Sequence, residues 1–363
     1  MVFLCVLSFF DLQLFKIYYK INSMKKKIAV ILFNLGGPDK LEAVKPFLFN
    51  LFNDKAIIDI AQPFRWILAK LISSSRAKTA QQNYALLGGG SPILELTQEQ
   101  AAALAQSLNT SSSNRYEVFV CMRYWQPFTE EIVAQVKHGN FDEVILLPLY
   151  PQFSTTTTAS SFRKWYEVAR KLHLNLLTKE ICCYPTNQHF IKSHVEIITQ
   201  YYKEGVRYGP TRLLFSAHGL PQKIIDKGDP YEHQIKLTVK EIVEQIPYSN
   251  LDYRVCYQSK VGPLKWLKPS TEYEILQAAK DKVSILIVPI SFVSEHIETL
   301  VELDIEYKEW ANKHGVPGYF RAHALGINNE FIQALTNLCL EPNNEVSCFS
   351  KHKCCLRYKQ KYL

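Results

Sequence analysis

The stretch 213-LLFSAHGLP-221 ends an apolar run in a small-residue turn that carries His218. A strand built this way delivers an imidazole to the edge of a sheet. Imidazole exchanges protons near neutral pH, its ordinary pKa being about 6.5, and it ligates transition metals. Taken alone, the plainer reading of such a residue is a histidine that satisfies turn hydrogen bonds.

Its company is acidic. Glu295, Glu298, Glu302, Glu306 and Glu309 fall at steps of three and four, which predicts a helix over 294–310 with all five on one stripe. Ser294 is its expected N-cap, and Ile297, Leu300, Leu303, Tyr307 and Trp310 form its other side. A solvated acidic face is the ordinary origin of such a row. Like charges at this spacing nevertheless repel by about a few tenths of a kcal/mol per pair, and a visiting cation relieves them. Divalent metals of the iron class accept imidazole and carboxylate together. His218 and a glutamate of this helix are therefore a candidate metal-handling pair across a cleft.

The first half of the chain offers different chemistry. Residues 46-PFLFNLFNDKAIIDIAQPFRWILAKLI-72 are rich in Phe, Leu, Ile and Trp. They read as a core helix pair or as the wall of a pocket for a large, flat, apolar ligand. Arg76, Lys78, Tyr84 and 88-GGGSPI-93 follow; the glycines form a flexible turn without the spacing of a phosphate or dinucleotide loop. Arg123 and Tyr124, at the end of a predicted strand in 122-MRYW-125, suit either a ligand carboxylate or an inter-helix salt bridge.

Elements that position these residues are visible as apolar runs of strand length: 28–34, 117–124, 143–151, 178–185, 212–219, 253–258 and 283–292. None alternates strictly, as expected for strands covered on both faces. Helical patterns lie between them, at 97–108, 187–202 and 294–310 among others. This rhythm predicts parallel sheets wrapped by helices. Two open, doubly wound halves fit better than a closed eightfold barrel, because the insert 38–116 breaks barrel spacing. The boundary between halves is expected near residue 185. Ligands of open sheets bind at the carboxyl ends of strands, where His218 sits.

Composition narrows the class. The 363 residues suffice for two domains, and 47% hydrophobic with 21% charged content is that of a globular protein. The net charge of +8 is spread along the chain and favours anionic small molecules or a lipid surface. No basic run interleaved with aromatics argues for nucleic acid. The nine cysteines form no regular disulfide framework, which fits reduced thiols in the cytoplasm. Residues 2-VFLCVLSFF-10 are too short to span a bilayer and lack a preceding basic segment. Residues 1–23 thus read as a non-native or disordered extension upstream of Met24, with a membrane-associating extension as the alternative.

Together the stretches resemble the ferrochelatase family, of protoporphyrin, bacterial-like type, whose members insert ferrous iron into a porphyrin to make haem. The matching pieces are 34-NLGGP-38, 88-GGGSPI-93, 122-MRYW-125, 150-YPQFSTTT-157, 214-LFSAHGLP-221, 228-GDPY-231, 258-QSKVGP-263, 294-SEHIETL-300 and 303-LDIEY-307. They stand in the family's order over about residues 27 to 338. The resemblance implies two Rossmann-like, chelatase-type domains of parallel sheets wrapped by helices: 24–184, with a porphyrin-lip insert, and 185–340, before a Cys-containing basic tail, 341–363. It implies His218 and Glu298 as the catalytic pair facing the metal, with Glu302 continuing the iron route. Leu35, Arg76, Tyr84, Ser91, Arg123, Tyr124, Tyr231 and Trp266 match positions around the porphyrin.

The implied partners are protoporphyrin IX and ferrous iron, with no nucleic acid. The implied setting is a cytoplasmic monomer or homodimer, with peripheral contact at the inner membrane face left open. Some members of the family hold a [2Fe–2S] cluster on four cysteines. Candidate ligands here are Cys348, Cys354 and Cys355, with Cys339 nearby and Cys182 or Cys183 as a fourth. The alternative is a basic tail with free thiols, because adjacent Cys354 and Cys355 are hard to use together and Thr155 replaces a cysteine found in the family. A chelatase for another metal or tetrapyrrole, or a non-catalytic haem or metal carrier, are the competing readings. A hydrolase on Ser216 and His218 lacks the glycine-flanked serine elbow.

Overall fold

The computed structural model describes residues 25–341. KIAVILFN forms the first strand, β1 (Lys27–Asn34), and all of it but Lys27 is buried, because helices cover both faces. The first half continues through α1 (Val44–Phe52), α2 (Phe64–Ala85), α3 (Ile93–Ser111), β2 (Arg115–Met122), α4 (Thr129–His138), β3 (Glu143–Pro148), α5 (Thr158–Lys171) and β4 (Leu177–Glu180). Its four strands are parallel, in the order β2-β1-β3-β4.

The second half repeats this plan. It runs α6 (Gln188–Gly205), β5 (Thr211–His218), α7 (Gln222–Asp226), α8 (Tyr231–Gln245), β6 (Tyr253–Gln258), α9 (Thr271–Asp281) and β7 (Ser284–Pro289). A π-helix (Glu298–Glu306), α10 (Tyr307–Lys313), β8 (Tyr319–Arg321) and α11 (Asn329–Leu340) complete it. The strand order is β6-β5-β7-β8, again parallel. In each sheet the order reverses at the first strand, so the carboxyl ends of β1 and β5 are the switch points where open sheets bind ligands. Asn34 and His218 occupy those two ends. Two open sheets replace the barrel alternative.

The halves are not independently packed. One buried apolar cluster includes Leu32 and Leu147 of the first sheet, Leu104 and Leu108 of α3, Phe215 and Leu286 of the second sheet, and Leu335 of α11. α11 packs on α3 and α6, which closes the end of the chain onto the first half. Gln100 on α3 is fully buried and donates to the carbonyls of Val293 and Gly326, each at 2.9 Å, while accepting from the Ser294 hydroxyl at 2.8 Å.

Several expectations need correction. Ser294 is not a helix cap: Gln100 takes its hydroxyl, and the helix begins four residues later as a π-helix. The expected strand 178–185 ends at Glu180, and Ile181, Cys182, Cys183 and Tyr184 are buried in irregular chain. The short β8 went unforeseen, three residues being too few for a periodic signal. Stretch 46–72 is not a plain core pair. α1 buries Val44, Phe47 and Leu48, but the start of α2 exposes Phe64 (68%), Trp66, Ile67, Leu68 and Leu71 (63%).

Gln100→Ala strands two carbonyls and a hydroxyl in a sealed seam. Unpaired buried groups of this kind cost about 1–3 kcal/mol, so the urea midpoint of unfolding is expected to fall. An unchanged midpoint would show that water replaces the amide.

Candidate active site

Two elements far apart in sequence bring His218 and Glu298 together. His218 is the last residue of β5, and its backbone is held at both ends. Its N–H donates to Ser291 Oγ at 3.1 Å, and its carbonyl accepts from the Tyr231 hydroxyl at 3.1 Å. Its ring Nδ1 lies 2.8 Å from Glu298 Oε2, across 80 residues of sequence. Both side chains are partly open, His218 at 36% and Glu298 at 23% exposure, so the pair lines a surface that a ligand can reach. His296 Nε2 stands 3.9 Å from the same carboxylate oxygen.

The acidic row is real but shorter and better supported than its spacing suggests. Glu295 leaves it: its carboxylate accepts from Arg321 Nη1 at 2.8 Å and from the Ala324 N–H at 2.8 Å. Arg321 also grips Asp304 with two bonds of 2.6 Å, tying the π-helix to β8. Glu302 accepts from the Ser259 N–H (2.8 Å), the Gln258 amide (3.1 Å), the Tyr307 hydroxyl (3.0 Å) and the Ser259 hydroxyl. Glu306 accepts from Asn83 on α2 at 3.4 Å, which joins the row to the first half, and Glu309 faces solvent. The row is therefore compensated, by neutral donors and histidine at its core and by Arg321 at its start. Single-turn π insertions occur often at functional sites; here the whole segment Glu298–Glu306 takes that form.

Electrostatics separate the two central carboxyls. Burial alone would raise Glu298, but the charge of His218, its hydrogen bond and the nearby His296 hold the carboxyl well below its ordinary range. Burial together with the charge of Glu298 raises Glu302. Burial disfavours the imidazolium of His218, yet the charge and hydrogen bond of Glu298 outweigh it and raise the histidine. Carboxyls whose environments push their pKa values apart are fitted to different roles.

The first half supplies an apolar wall. Leu35, Tyr84 and Tyr124 pack with Val44, Phe47 and Leu48, and Ile297 from the second half joins the same cluster. Tyr84 is 4% exposed, and burial with the charge of Glu298 pushes its hydroxyl up, which places it within reach of that carboxylate's field. Ser91 lies against Gly37, where a Cβ would approach Ser91 Cβ to 2.6 Å, so only glycine allows the turn. Arg76 sits 5.9 Å above the Phe52 ring. Trp266 pairs with Pro221 beside His218 and donates from Nε1 to the Val261 carbonyl at 3.1 Å.

Arg123 and Tyr124 are already engaged. Arg123 Nη2 donates to Asp54 Oδ2 at 2.7 Å and its Nε to Ser160 Oγ at 2.8 Å, while the Tyr124 hydroxyl donates to Asp54 at 2.9 Å. Burial would raise Asp54, but Arg123 and these hydrogen bonds hold it low. Arg123 is thus in a salt bridge, though not one between helices: Asp54 lies just past α1 and Arg123 just past β2. Cys182 lies fully buried in the core of the first half, and Cys348, Cys354 and Cys355 lie outside the described residues. Among the described residues no three His, Cys, Asp or Glu side chains close a metal cage.

Ser259, Gln258, His296, Tyr307 and Asp54 carried no site role in the sequence, and Tyr307, expected on the helix's other side, turns its hydroxyl to Glu302. Ser259 carried a structural signal only: its φ of +63° is unusual for a non-glycine residue and clusters at functional sites. His296 stood in plain view beside Glu298.

Two parallel half-sheets with a His–Glu pair and a carboxyl row at the switch point of the second have the plan of a metal chelatase. Among solved structures, SirB from Bacillus subtilis with Fe3+ matches over 87% of this chain and 94% of its own, with a TM-score of 0.51 at 14% identity, a likeness of fold alone. The family model described as Ferrochelatase matches residues 27–342. Ferrochelatase of Rickettsia bellii (strain OSU 85-389) is 53% identical over 88% of this chain and 88% of its own. That of Wolbachia sp. subsp. Drosophila simulans (strain wRi) is 54% identical over 87% and 99%, and that of Pelagibacter ubique (strain HTCC1062) 51% over 88% and 92%. The chain belongs to the ferrochelatase family and is a chelatase enzyme of the lyase class.

The pair has a defined pH window. Glu298, being lowered, contributes stability above its unfolded pKa and loses it as pH falls through its folded value; His218, being raised, contributes below its unfolded pKa and loses it as pH rises through its folded value. Glu298→Gln removes the charge that offsets burial. The ring of His218 is then expected to titrate below 6.5 instead of above it by NMR; an unmoved titration would mean the carboxylate does not set it.

Proposed function

We propose that this chain inserts ferrous iron into protoporphyrin IX, giving protohaem in the last step of haem biosynthesis, and that His218 and Glu298 carry the reaction. The 2.8 Å contact between them supports this reading most directly. A free-base porphyrin loses two N–H protons as the metal enters its centre. With Nδ1 directed at Glu298, the neutral ring presents Nε2 as its proton acceptor. The imidazolium that forms is stabilised by the ionised Glu298. Glu302, raised by burial and by Glu298, is the proposed second station, taking a proton from the site or handing on the cation. Leu35, Tyr84, Tyr231 and Trp266 are the proposed walls, and Arg76, Ser91, Arg123 and Tyr124 the proposed periphery. Asp54 neutralises Arg123, so Arg123 would reach a substrate carboxylate only by sharing that partner. The halves 24–184 and 185–340 act as the two jaws. Iron enters as substrate, and the steps so written need no iron–sulfur cluster.

No helix among the described residues is long and apolar enough to cross a membrane. Phe64, Trp66, Ile67, Leu68 and Leu71 nevertheless form an exposed apolar face beside Arg65 and Lys70. Aromatic and aliphatic side chains flanked by cations suit an anionic lipid surface, and we infer peripheral contact there in a cytoplasmic enzyme.

General-base catalysis contributes roughly 10²–10⁴-fold. His218→Ala is expected to lose at least the lower figure when purified protein, protoporphyrin IX and ferrous iron are mixed without air and the haem spectrum is followed. Near-native insertion would remove His218 from the mechanism. For the lip, Phe64→Ser with Leu71→Ser is expected to reduce co-sedimentation with vesicles of anionic phospholipid; equal pelleting of both forms would refute the contact.

A further inference from the structure

A polar seam joins the halves directly behind His218. Four consecutive residues of the first half, Gln152 to Thr155, bond across it. The Gln152 amide donates to Thr238 Oγ1 at 3.2 Å, and the Phe153 N–H donates to Gln234 Oε1 at 2.7 Å. The last two residues converge on one carboxylate, Asp229, which is 4% exposed. Its Oδ2 accepts from the Ser154 hydroxyl (3.0 Å), the Thr155 N–H (2.7 Å) and the Thr155 hydroxyl (2.7 Å). Its Oδ1 accepts from the N–H of Tyr231 at 3.0 Å. Tyr231 is the first residue of α8, and its hydroxyl donates to the carbonyl of His218.

We propose that Asp229 is a positioning residue: bonded to Ser154 and Thr155 in one half and to Tyr231 in the other, it fixes His218 relative to the first-half wall. The inference rests on the reading of His218 as proton acceptor. Its physical basis is the donor set. A carboxylate accepts at both oxygens, and the four donors that reach Asp229 are neutral and held by backbone or short side chains. A buried carboxylate satisfied by several such donors has one low-energy placement. Tyr231 then inherits a fixed start of α8, and its ring transmits that position to the strand end carrying the imidazole. The carbonyl of His218 is the handle, and Ser291 holds the other side of the same residue at its N–H. Displacing a reacting group by about 1 Å can cost roughly 100-fold in rate, so Asp229 controls turnover through the placement of His218.

Asp229→Asn keeps the shape but puts an NH2 where one oxygen accepted. In either amide orientation donors face a donor, on Ser154 and Thr155 or on Tyr231. Expected is a kcat for iron insertion lowered roughly 10- to 100-fold. KM for protoporphyrin IX and porphyrin fluorescence quenching should stay within about threefold, because the wall residues remain. Thr155→Val, which keeps the N–H and loses the hydroxyl, should lower kcat less and leave KM alone, and Thr155→Ser should restore it. A kcat within about twofold of wild type in Asp229→Asn overturns the proposal. So does a loss that disappears when rates are expressed per folded, porphyrin-binding molecule. If Asp229→Asn does not fold, an unchanged kcat in Thr155→Val overturns it alone. Wild-type insertion by His218→Ala would remove the parent reading and the clamp together; an inactive His218→Ala beside a fully active Asp229→Asn removes only the clamp.

Discussion

An ionised carboxylate partly withdrawn from water is the constraint around which this molecule is arranged. Desolvation favours the protonated acid unless a partner and hydrogen bonds compensate. Glu298 stays ionised because β5 ends with His218 against it and His296 stands behind it. The compensation is mutual, since the same contact makes His218 a stronger base than burial alone would allow. Each supports the charged form of the other, and the sheet that presents them pairs β5 with β7 as neighbours.

The repeated strand order explains where that meeting occurs. With β1 and β5 each central, the crossovers on either side diverge at their carboxyl ends and leave a crevice. The π-helix follows β7 in the second half and brings Glu298 against His218. Arg321 fastens it through Asp304 and fastens the preceding turn through Glu295. Gln100 binds the same turn from the first half. The loop that presents Glu298 is thus gripped from both halves, and this order is what a pair separated by 80 residues requires.

Much of this was legible from local pattern. The run 213-LLFSAHGLP-221 announced a buried strand with a histidine at its end, and β5 is that strand. The three- and four-residue spacing of the glutamates announced a helix but not its kind. An α-helical wheel and a π-helix place residues four apart on similar faces, so periodicity could not tell them apart. Nor could it reveal that Glu295 is paired, because Arg321 arrives from a strand of three residues. Arg123 read equally well as a ligand clamp or a salt bridge, and only the fold brings Asp54 to it. The exposed start of α2 has the composition of a core helix; its exposure depends on what packs there, which no local pattern encodes.

The contrast between the two sides of the cleft then acquires a physical meaning. On the first-half side, the buried Asp54–Arg123 pair is closed on itself: Asp54 is held by Arg123, Tyr124 and Ser160. Leu35 and Tyr84 belong to an apolar cluster there, which Ile297 of the second half joins beside Glu298. On the second-half side, Glu298 and Glu302 keep separate protonation behaviour within hydrogen-bond reach of Ser259. A porphyrin is a broad apolar disc whose chemistry is confined to its central nitrogens. A neutral wall can bind the disc by burying its face, and it contributes no field of its own at the centre. In the proposed reading, charge on this side gives the traffic of cation and protons a direction, along the row that begins at Glu298 and reaches Glu306 at the margin shared with α2.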